Sequence, residues 1–385
     1  MRILLFLHSF QPGGVERVAL RLAGAWSEEG HEVRVLVGRD HGPQRSIAPA
    51  NLRFEFARPS RMAARFETLW LVRHLVSAVR TNRPDVLFCS GSTYTIVAAL
   101  VRLFLGPECP PIVCKLSNSL ERKDLSVVAR SAHGLWLRHH PKFIDQFIGM
   151  AEPMTEEIEH CLRVSRNRIT TIPDPALTTA EMCLLSAPVS TDHHRGRRYV
   201  AVGRLARQKN FALLLRAFAM IASDDDQLVI VGEGPERSRL TRLATQLGIA
   251  NQIEMPGHLL SVGEALRMAD VLVNSSNYEG LPAAVVEALA AGLPIVATQC
   301  SACMDQLLGY GELGRLVPIR DVSALAQALQ DAPRRHEVPT DVMRASAAQF
   351  TIERSAHLYI DVFAKTVAQF NANRPIDAQP LQATA

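Results

Sequence analysis

Two acids stand in the run NYEGLPAAVVEALAAG, Glu279 in a Gly/Pro-punctuated turn and Glu287 inside an apolar helical pattern. A charge among Ala, Val and Leu is costly unless it is paired. A carboxylate so placed can accept two hydrogen bonds from a vicinal diol such as a ribose, or it can pair with a core cation. Gly280, Leu281 and Pro282 open the helix. The first N–H groups of a helix have no partner inside it and attract a phosphate or polarised hydroxyls. Upstream, Gly203, Arg204 and Lys209 in VGRLARQKN directly follow a strand pattern. Gly admits close backbone approach, Arg offers a forked donor set and Lys a point charge, which together suit a pyrophosphate; the alternative is a pair of solvated loop cations. VGEGPERSRL reads as a plain strand–helix turn with Pro235 at the first helical position, since the third Gly of a dinucleotide fingerprint is missing. In the first half, Gly13 and Gly14 of HSFQPGGVER lie between a first strand and its helix, where paired glycines permit close approach to a ligand.

These residues need strands and helices to hold them. The first half alternates short apolar runs (RILLFLH, HEVRVLVG, DVLFCS, PPIVCKLS, FIGM, RITTIPDP) with helical patterns, among them a long one stopped at Pro84. Residues 174–197 break the rhythm and read as a linker. The alternation then restarts from RYVAVGRL through LPIVAT, and after Leu316 the pattern is mostly helical. Strands spaced by helices predict parallel sheets with covered faces, and ligands of such sheets bind outside the carboxyl ends of the strands. The fold class expected is α/β, with two Rossmann-like domains facing a central cleft. The divisions are 1–175, a linker at 176–197, 198–350, and a last segment at 351–385.

With 385 residues, 48% apolar and 21% charged, the chain is an ordinary globular protein with room for two cores. The net charge of +4 is modest and nothing points to nucleic acid. Residues 1–185 carry 23 Lys/Arg against 18 Asp/Glu, so the first half is the candidate for an anionic partner. The seven cysteines have scattered spacing; Cys300 and Cys303 form a C-x-x-C with no second pair to complete a zinc site, and read as structural or incidental thiols in a reducing, cytoplasmic setting. MRILLFLHSF has one basic residue and no cleavage site and reads as a first strand; no run is long enough to span a membrane. Asp224, Asp225 and Asp226 precede a strand, which suits a solvated turn better than a metal site, so no metal is expected.

In order, GRLARQKN, VGEGPERSRL, Gly257–His258 and ADVLVNSSNYEGLPAAVVEALAAGLPIVAT closely resemble the retaining glycosyltransferase family 4, of the two-Rossmann-like-domain type called GT-B, with the E-x7-E pair at Glu279 and Glu287. Looser matches are FQPGGVER, FIGMAEPMTEEI, ITTIPDP and GRLVPIRDVSALAQAL. The resemblance implies that Arg204 and Lys209, beside Gly203, hold the donor diphosphate and neutralise the leaving group. It implies that Glu287 binds the ribose hydroxyls, and that Glu279, with the N–H groups of Gly280 and Leu281, holds the donor sugar. Gly14 would face the diphosphate or acceptor from the other domain. The donor substrate is then a nucleotide sugar, UDP- or GDP-linked, and no metal cofactor is needed. Where relatives often carry a His near the acceptor, this chain has Ser117 and Asn118, with His8 at the end of strand one as a substitute; these and Gly13 are the acceptor-side candidates. The acceptor expected is a saccharide or lipid-linked saccharide at the inner membrane face. RPSRMAARFETLWLVRHLVSAVR joins Arg58, Arg61, Arg65, Arg73 and Arg80 to Trp70, Leu71 and Leu75, either as an ordinary helix with one face in the core or as a basic amphipathic helix on an anionic membrane. The last helical pattern, Thr351 to Phe370, is expected to pack back on the first domain. A sugar-nucleotide epimerase of similar fold and a non-catalytic nucleotide-sugar-binding protein are the rival readings. A nicotinamide dehydrogenase lacks its first-strand fingerprint.

Overall fold

The computed structural model describes every residue except 12, 58–66, 118–119, 121–125, 188–194, 260 and 374–385. By its contacts the chain divides into two units, the first made of Met1–Pro173 together with the segment that begins at Ile352, the second of Asp174–Thr351.

Unit 1 runs β1 (Arg2–Ser9), α1 (Gly14–Glu28), β2 (Glu32–Arg39), β3 (Arg53–Phe56), α2 (Glu67–Asn82), β4 (Val86–Cys89), α3 (Thr95–Leu105), β5 (Ile112–Lys115), α4 (Val127–Leu137), β6 (Gln146–Gly149), α5 (Glu152–Leu162) and β7 (Ile169–Thr171). Its seven strands pair in parallel in the order β3-β2-β1-β4-β5-β6-β7. Strands covered on both faces read as near-continuous apolar runs, and all of VLFC in β4 and IVCK in β5 is buried, the terminal Lys115 included.

Unit 2 runs α6 (Thr179–Ser186), β8 (Arg198–Val202), α7 (Phe211–Ile221), β9 (Gln227–Val231), α8 (Arg237–Gln246), β10 (Ile253–Gly257), α9 (Gly263–Arg267), β11 (Val271–Asn274), α10 (Ala283–Ala291), β12 (Ile295–Thr298), α11 (Met304–Leu307), β13 (Arg315–Val317), α12 (Val322–Gln330) and α13 (Thr340–Ala347). Its sheet, β10-β9-β8-β11-β12-β13, is also parallel throughout. One core cluster includes Val285 and Leu289 of α10 with Met343 of α13; another includes Leu214 and Phe218 of α7 with Leu325 of α12.

The final helix, α14 (Ile352–Ala372), belongs to unit 1. Trp26 of α1 donates from Nε1 to Ala356 O at 3.1 Å, and its ring meets Phe363 edge-on at 5.2 Å. Tyr359 packs on Phe88 of β4 at 5.5 Å. An indole buried with its N–H satisfied fixes the helix by both apolar area and a hydrogen bond.

The structure departs from the sequence reading at several elements, the short α11 among them. The predicted linker at 176–197 contains α6, started by a capping box in which Glu181 N–H donates to Thr178 Oγ1 at 3.1 Å and Thr178 N–H donates to Glu181 Oε2 at 2.8 Å. The strands β3 and β13 were not predicted; both are short edge strands, which need no continuous apolar run. The helix α4 was also not predicted, and only Leu137 of its eleven residues is buried, which explains its weak pattern. In α2, Leu71 and Leu75 are fully buried in the core, so this apolar side is not free to face a lipid; Arg73 and Arg80 are exposed, and Arg58, Arg61 and Arg65 lie outside the described residues. All seven cysteines are free thiols. Asp226 accepts from Ser223 N–H at 2.9 Å and from Arg197 N–H at 2.6 Å, the work of a turn-holding residue.

Candidate functional site in unit 2 and its counterpart in unit 1

Each sheet reverses its strand order once, between β1 and β4 in unit 1 and between β8 and β11 in unit 2. Crevices for ligands form at the carboxyl ends of the strands beside such a reversal. Gly203, Arg204 and Lys209 follow β8, Glu279 follows β11, and His8, Gly13 and Gly14 lie at or just after the end of β1, whereas Ser117 follows β5 and Glu287 lies within α10.

In unit 2, the loop after β8 and the loop after β11 are stitched together. Lys209 Nζ forms an ion pair with Glu279 Oε1, and Ser276 Oγ donates to the same oxygen at 2.7 Å. Gln208 Nε2 donates to Tyr278 O at 2.9 Å, and Asn277 N–H donates to Gln208 O at 2.8 Å. Asn277 Nδ2 reaches Arg207 O, and Ser275 Oγ donates to Lys209 O, both at 2.9 Å. The Lys209 and Glu279 side chains are only 21% and 10% exposed, so their mutual attraction is poorly screened by water. Gly203 makes this arrangement possible. Its φ is +154°, and a Cβ there would lie 2.8 Å from Lys209 Cε. Gly232, after β9, approaches so closely that a Cβ would stand 2.0 Å from Gly203 O. The VGEG turn therefore supports the β8 loop from behind.

Lys209, Glu279 and Gly203 thus form one contact set. Arg204 lies in the same loop, but its exposed side chain makes no hydrogen bond or ion pair among the described residues. Glu287 is buried on α10, 9% exposed. The peptide ahead of that helix is held from the next loop: Glu279 N–H donates to Cys300 O at 2.9 Å, Ser301 Oγ donates to Gly280 O at 2.7 Å, and Cys303 Sγ reaches the same carbonyl at 3.2 Å. Burial pushes the Cys300 thiol up to about 12 and raises that of Cys303, so both stay protonated at neutral pH. Gln208, Ser276, Ser301 and Cys303 were not found from the sequence. Ser276 stands inside the matched motif without an assigned role, and Cys303, which the sequence presents as a structural or incidental thiol, proves structural.

In unit 1, the His8 ring stacks on Tyr94 with centroids 5.0 Å apart. Its Nδ1 is 3.8 Å from Glu67 Oε1, and Glu67 is ion-paired with Arg39. Burial lowers the His8 pKa, against the opposing pull of Glu67 and Glu16, so a neutral imidazole stands at the end of β1. Tyr94 donates its hydroxyl proton to Glu16 Oε1 at 2.8 Å, and burial raises the Tyr94 pKa. Gly13 caps α1, and a Cβ there would meet Glu16 Oε2 at 2.0 Å. At Gly14 a Cβ would meet nothing within 4 Å. Ser117 Oγ lies 3.5 Å from Ser90 O, and Asn118 is outside the described residues. Among the described residues, no group of three or more His, Cys, Asp and Glu is placed to hold a metal ion.

Comparison with known proteins fits this architecture. Residues 12–176 match the model of the Glycosyltransferase Family 4 domain, and residues 196–333 that of Glycosyl transferases group 1. The chain is 25% identical over 378 residues to the lipopolysaccharide core biosynthesis glycosyltransferase LpsE of Rhizobium meliloti (strain 1021), covering 93% of this chain and 97% of that protein. It shares its fold with Anabaena Alr3699/HepE, solved in complex with UDP (TM-score 0.68, 16% identity, 97% of this chain and 100% of that one). It likewise shares its fold with sucrose-phosphate synthase from Thermosynechococcus elongatus (TM-score 0.75, 19% identity, 95% and 99%). With a glycosyltransferase domain model matched in each half and a relative of that class along nearly its whole length, the chain belongs to the glycosyltransferases of the GT-B fold.

Proposed function

We propose that this glycosyltransferase moves a hexosyl unit, with retention of configuration, from a UDP- or GDP-linked sugar to a carbohydrate or lipid-linked carbohydrate acceptor in cell-surface polysaccharide or glycolipid assembly. The observation that carries this reading is the pairing of Lys209 with Glu279 at the strand-order reversal of unit 2. Breaking a sugar–phosphate bond builds negative charge on the departing diphosphate and cationic character on the sugar. A preorganised donor aimed at such charge is typically worth roughly 2.7–4 kcal/mol. In this reading Arg204 and Lys209 take the diphosphate, with Gly203 admitting its close approach, and no metal is needed. Glu287 receives the ribose hydroxyls. Glu279 and the N–H groups of Gly280 and Leu281 hold the hydroxyls of the donor sugar. In unit 1, the space at Gly14 and the nearby Gly13, His8 and Ser117 receive the acceptor.

Two similar proteins support the reading: LpsE of Rhizobium meliloti is a lipopolysaccharide core biosynthesis glycosyltransferase, and Anabaena HepE has been solved with UDP-glucose. A lipid-linked acceptor would place the protein at the cytoplasmic face of a membrane; no helix among the described residues is long and apolar enough to cross one. Flotation with anionic liposomes tests that part, and protein that stays unbound at low salt removes it. The test of the function itself is a thermal-shift panel of UDP-, GDP- and ADP-sugars, followed by transfer assays with the best donor and NMR of the product anomer. A donor that stabilises the protein and yields an α-linked product from an α-linked donor is the expected result. Stabilisation by none of the panel would overturn it.

A further inference from the structure

The loop after β12 carries the sequence Cys300-Ser301-Ala302-Cys303, and three of its bonds end on Glu279 and Gly280, in the segment that leads into α10. Cys300 O accepts from Glu279 N–H at 2.9 Å. Gly280 O accepts from Ser301 Oγ at 2.7 Å and lies 3.2 Å from Cys303 Sγ, and the two side chains are themselves 2.8 Å apart, so hydroxyl and thiol form one small cluster on that carbonyl. Ser301 is itself held, because Cys303 N–H donates to its Oγ at 3.2 Å. Cys300 and Cys303 are buried, at 6% and 7% exposure.

A peptide bond is planar, and no cis peptide occurs among the described residues. In a trans peptide the carbonyl of one residue and the N–H of the next point in opposite directions. A Gly280 carbonyl drawn onto Ser301 and Cys303 therefore turns the Leu281 N–H away from the 300–303 loop. We propose that Ser301 and Cys303 are positioning residues for donor recognition: by anchoring the Gly280 carbonyl they aim the Leu281 N–H at a hydroxyl of the bound sugar. This rests on the reading of unit 2 as the nucleotide-sugar site. Neither side chain touches the ligand; both act through one peptide plane. A Gly at 280 makes the anchor necessary, since a residue without Cβ leaves its backbone freer to rotate than any other. The raised thiol pKa of Cys303 suits the task, because only the protonated thiol can donate to a carbonyl.

The test separates the sugar's share of binding from the nucleotide's. Dissociation constants are measured for UDP-glucose, GDP-mannose and ADP-glucose and for the bare nucleoside diphosphates, with wild type, Ser301→Ala, Cys303→Ala, Cys303→Ser and the Ser301→Ala/Cys303→Ala double variant. In the double variant the Kd for the nucleotide sugar should rise about tenfold, the scale of one well-made hydrogen bond, while the Kd for the bare nucleotide moves less than about twofold. Cys303→Ser, which keeps a donor, should recover most of what Cys303→Ala loses. A double variant that binds nucleotide sugar as wild type does would overturn the inference. So would equal loss for sugar-bearing and bare nucleotides, the signature of a generally loosened unit. If wild type bound none of the three nucleotide sugars, the proposed function would fall, and this inference with it.

Discussion

The two sheets have the same strand order around their reversal points, β3-β2-β1-β4-β5 in one and β10-β9-β8-β11-β12 in the other, yet the loops there are built differently. In unit 2 the two loops are tied by an ion pair and by side-chain hydrogen bonds from Ser275, Asn277 and Gln208. In unit 1 the corresponding groups are a stacked His8–Tyr94 pair, a Tyr94–Glu16 bond and an open position at Gly14. Topology supplies the place and loops supply the chemistry. Under the proposed function, the crowded polar network would receive a ligand of fixed geometry, the diphosphate of an activated sugar. An open loop suits a partner that differs from one relative to the next.

The comparison breaks most visibly at Lys209. Lys209→Ala should lower kcat/KM for transfer by about 100- to 1000-fold, the loss expected for one preorganised charge partner. Circular dichroism should stay native, because Glu279 keeps its bond from Ser276. A variant as active as wild type would remove unit 2 from the chemistry.

Acid should act on unit 1. His140 is buried there between Trp136 and Phe143, its ring nitrogens without a hydrogen-bond partner among the described residues, and burial lowers its pKa to about 4 from 6.5. His133 and His139 push in the same direction. The folded state holds this imidazole neutral while the unfolded chain protonates it, so stability is complete above pH 6.5 and is lost as pH falls from 6.5 towards about 4. The loss should reach ~3 kcal/mol. Denaturant titrations between pH 7 and pH 4 read it directly, and His140→Phe should flatten that slope.

A pair of glycines sharpens the contrast further. Gly203→Ala forces a side chain onto φ +154° and against Lys209 Cε, so it should cost about 1–3 kcal/mol in unfolding free energy and displace the lysine. Gly14→Ala enters open space and should change stability by less than about 0.5 kcal/mol. An Ala at 14 that is neutral for folding but raises the KM for acceptor or donor would show that the opening is used. Thermal melts and initial rates on the same two variants decide it.

The central strands and the covering helices were legible because each is buried on a repeating pattern, as in VLVN and IVAT, where all four positions are buried. What escaped had little apolar patterning to show. The edge strand RFEF has no fully buried position, α4 buries one residue, and α6 announces itself only through the Thr178–Glu181 capping pattern. The same division holds at the site. Glu279, Glu287, Lys209 and the glycines stood out by type and spacing, whereas Gln208, Ser301 and Cys303 are ordinary loop residues until their partners are known.

The order of strands and helices, the set of motifs after the strands and the family resemblance were properties of the sequence by itself, since each is carried by residues close together in the chain. The partnerships were not. Lys209 meets Glu279 across 70 residues only because β8 lies beside β11, although β9 and β10 intervene in the chain. Gly280 reaches Ser301 and Cys303 because β11 lies beside β12. Ala356 reaches Trp26 across 330 residues because the last helix packs on α1. Hydrogen bonds and ion pairs act over a few ångströms, so they are decided by strand adjacency, and adjacency between distant segments is settled only when the whole sheet has formed.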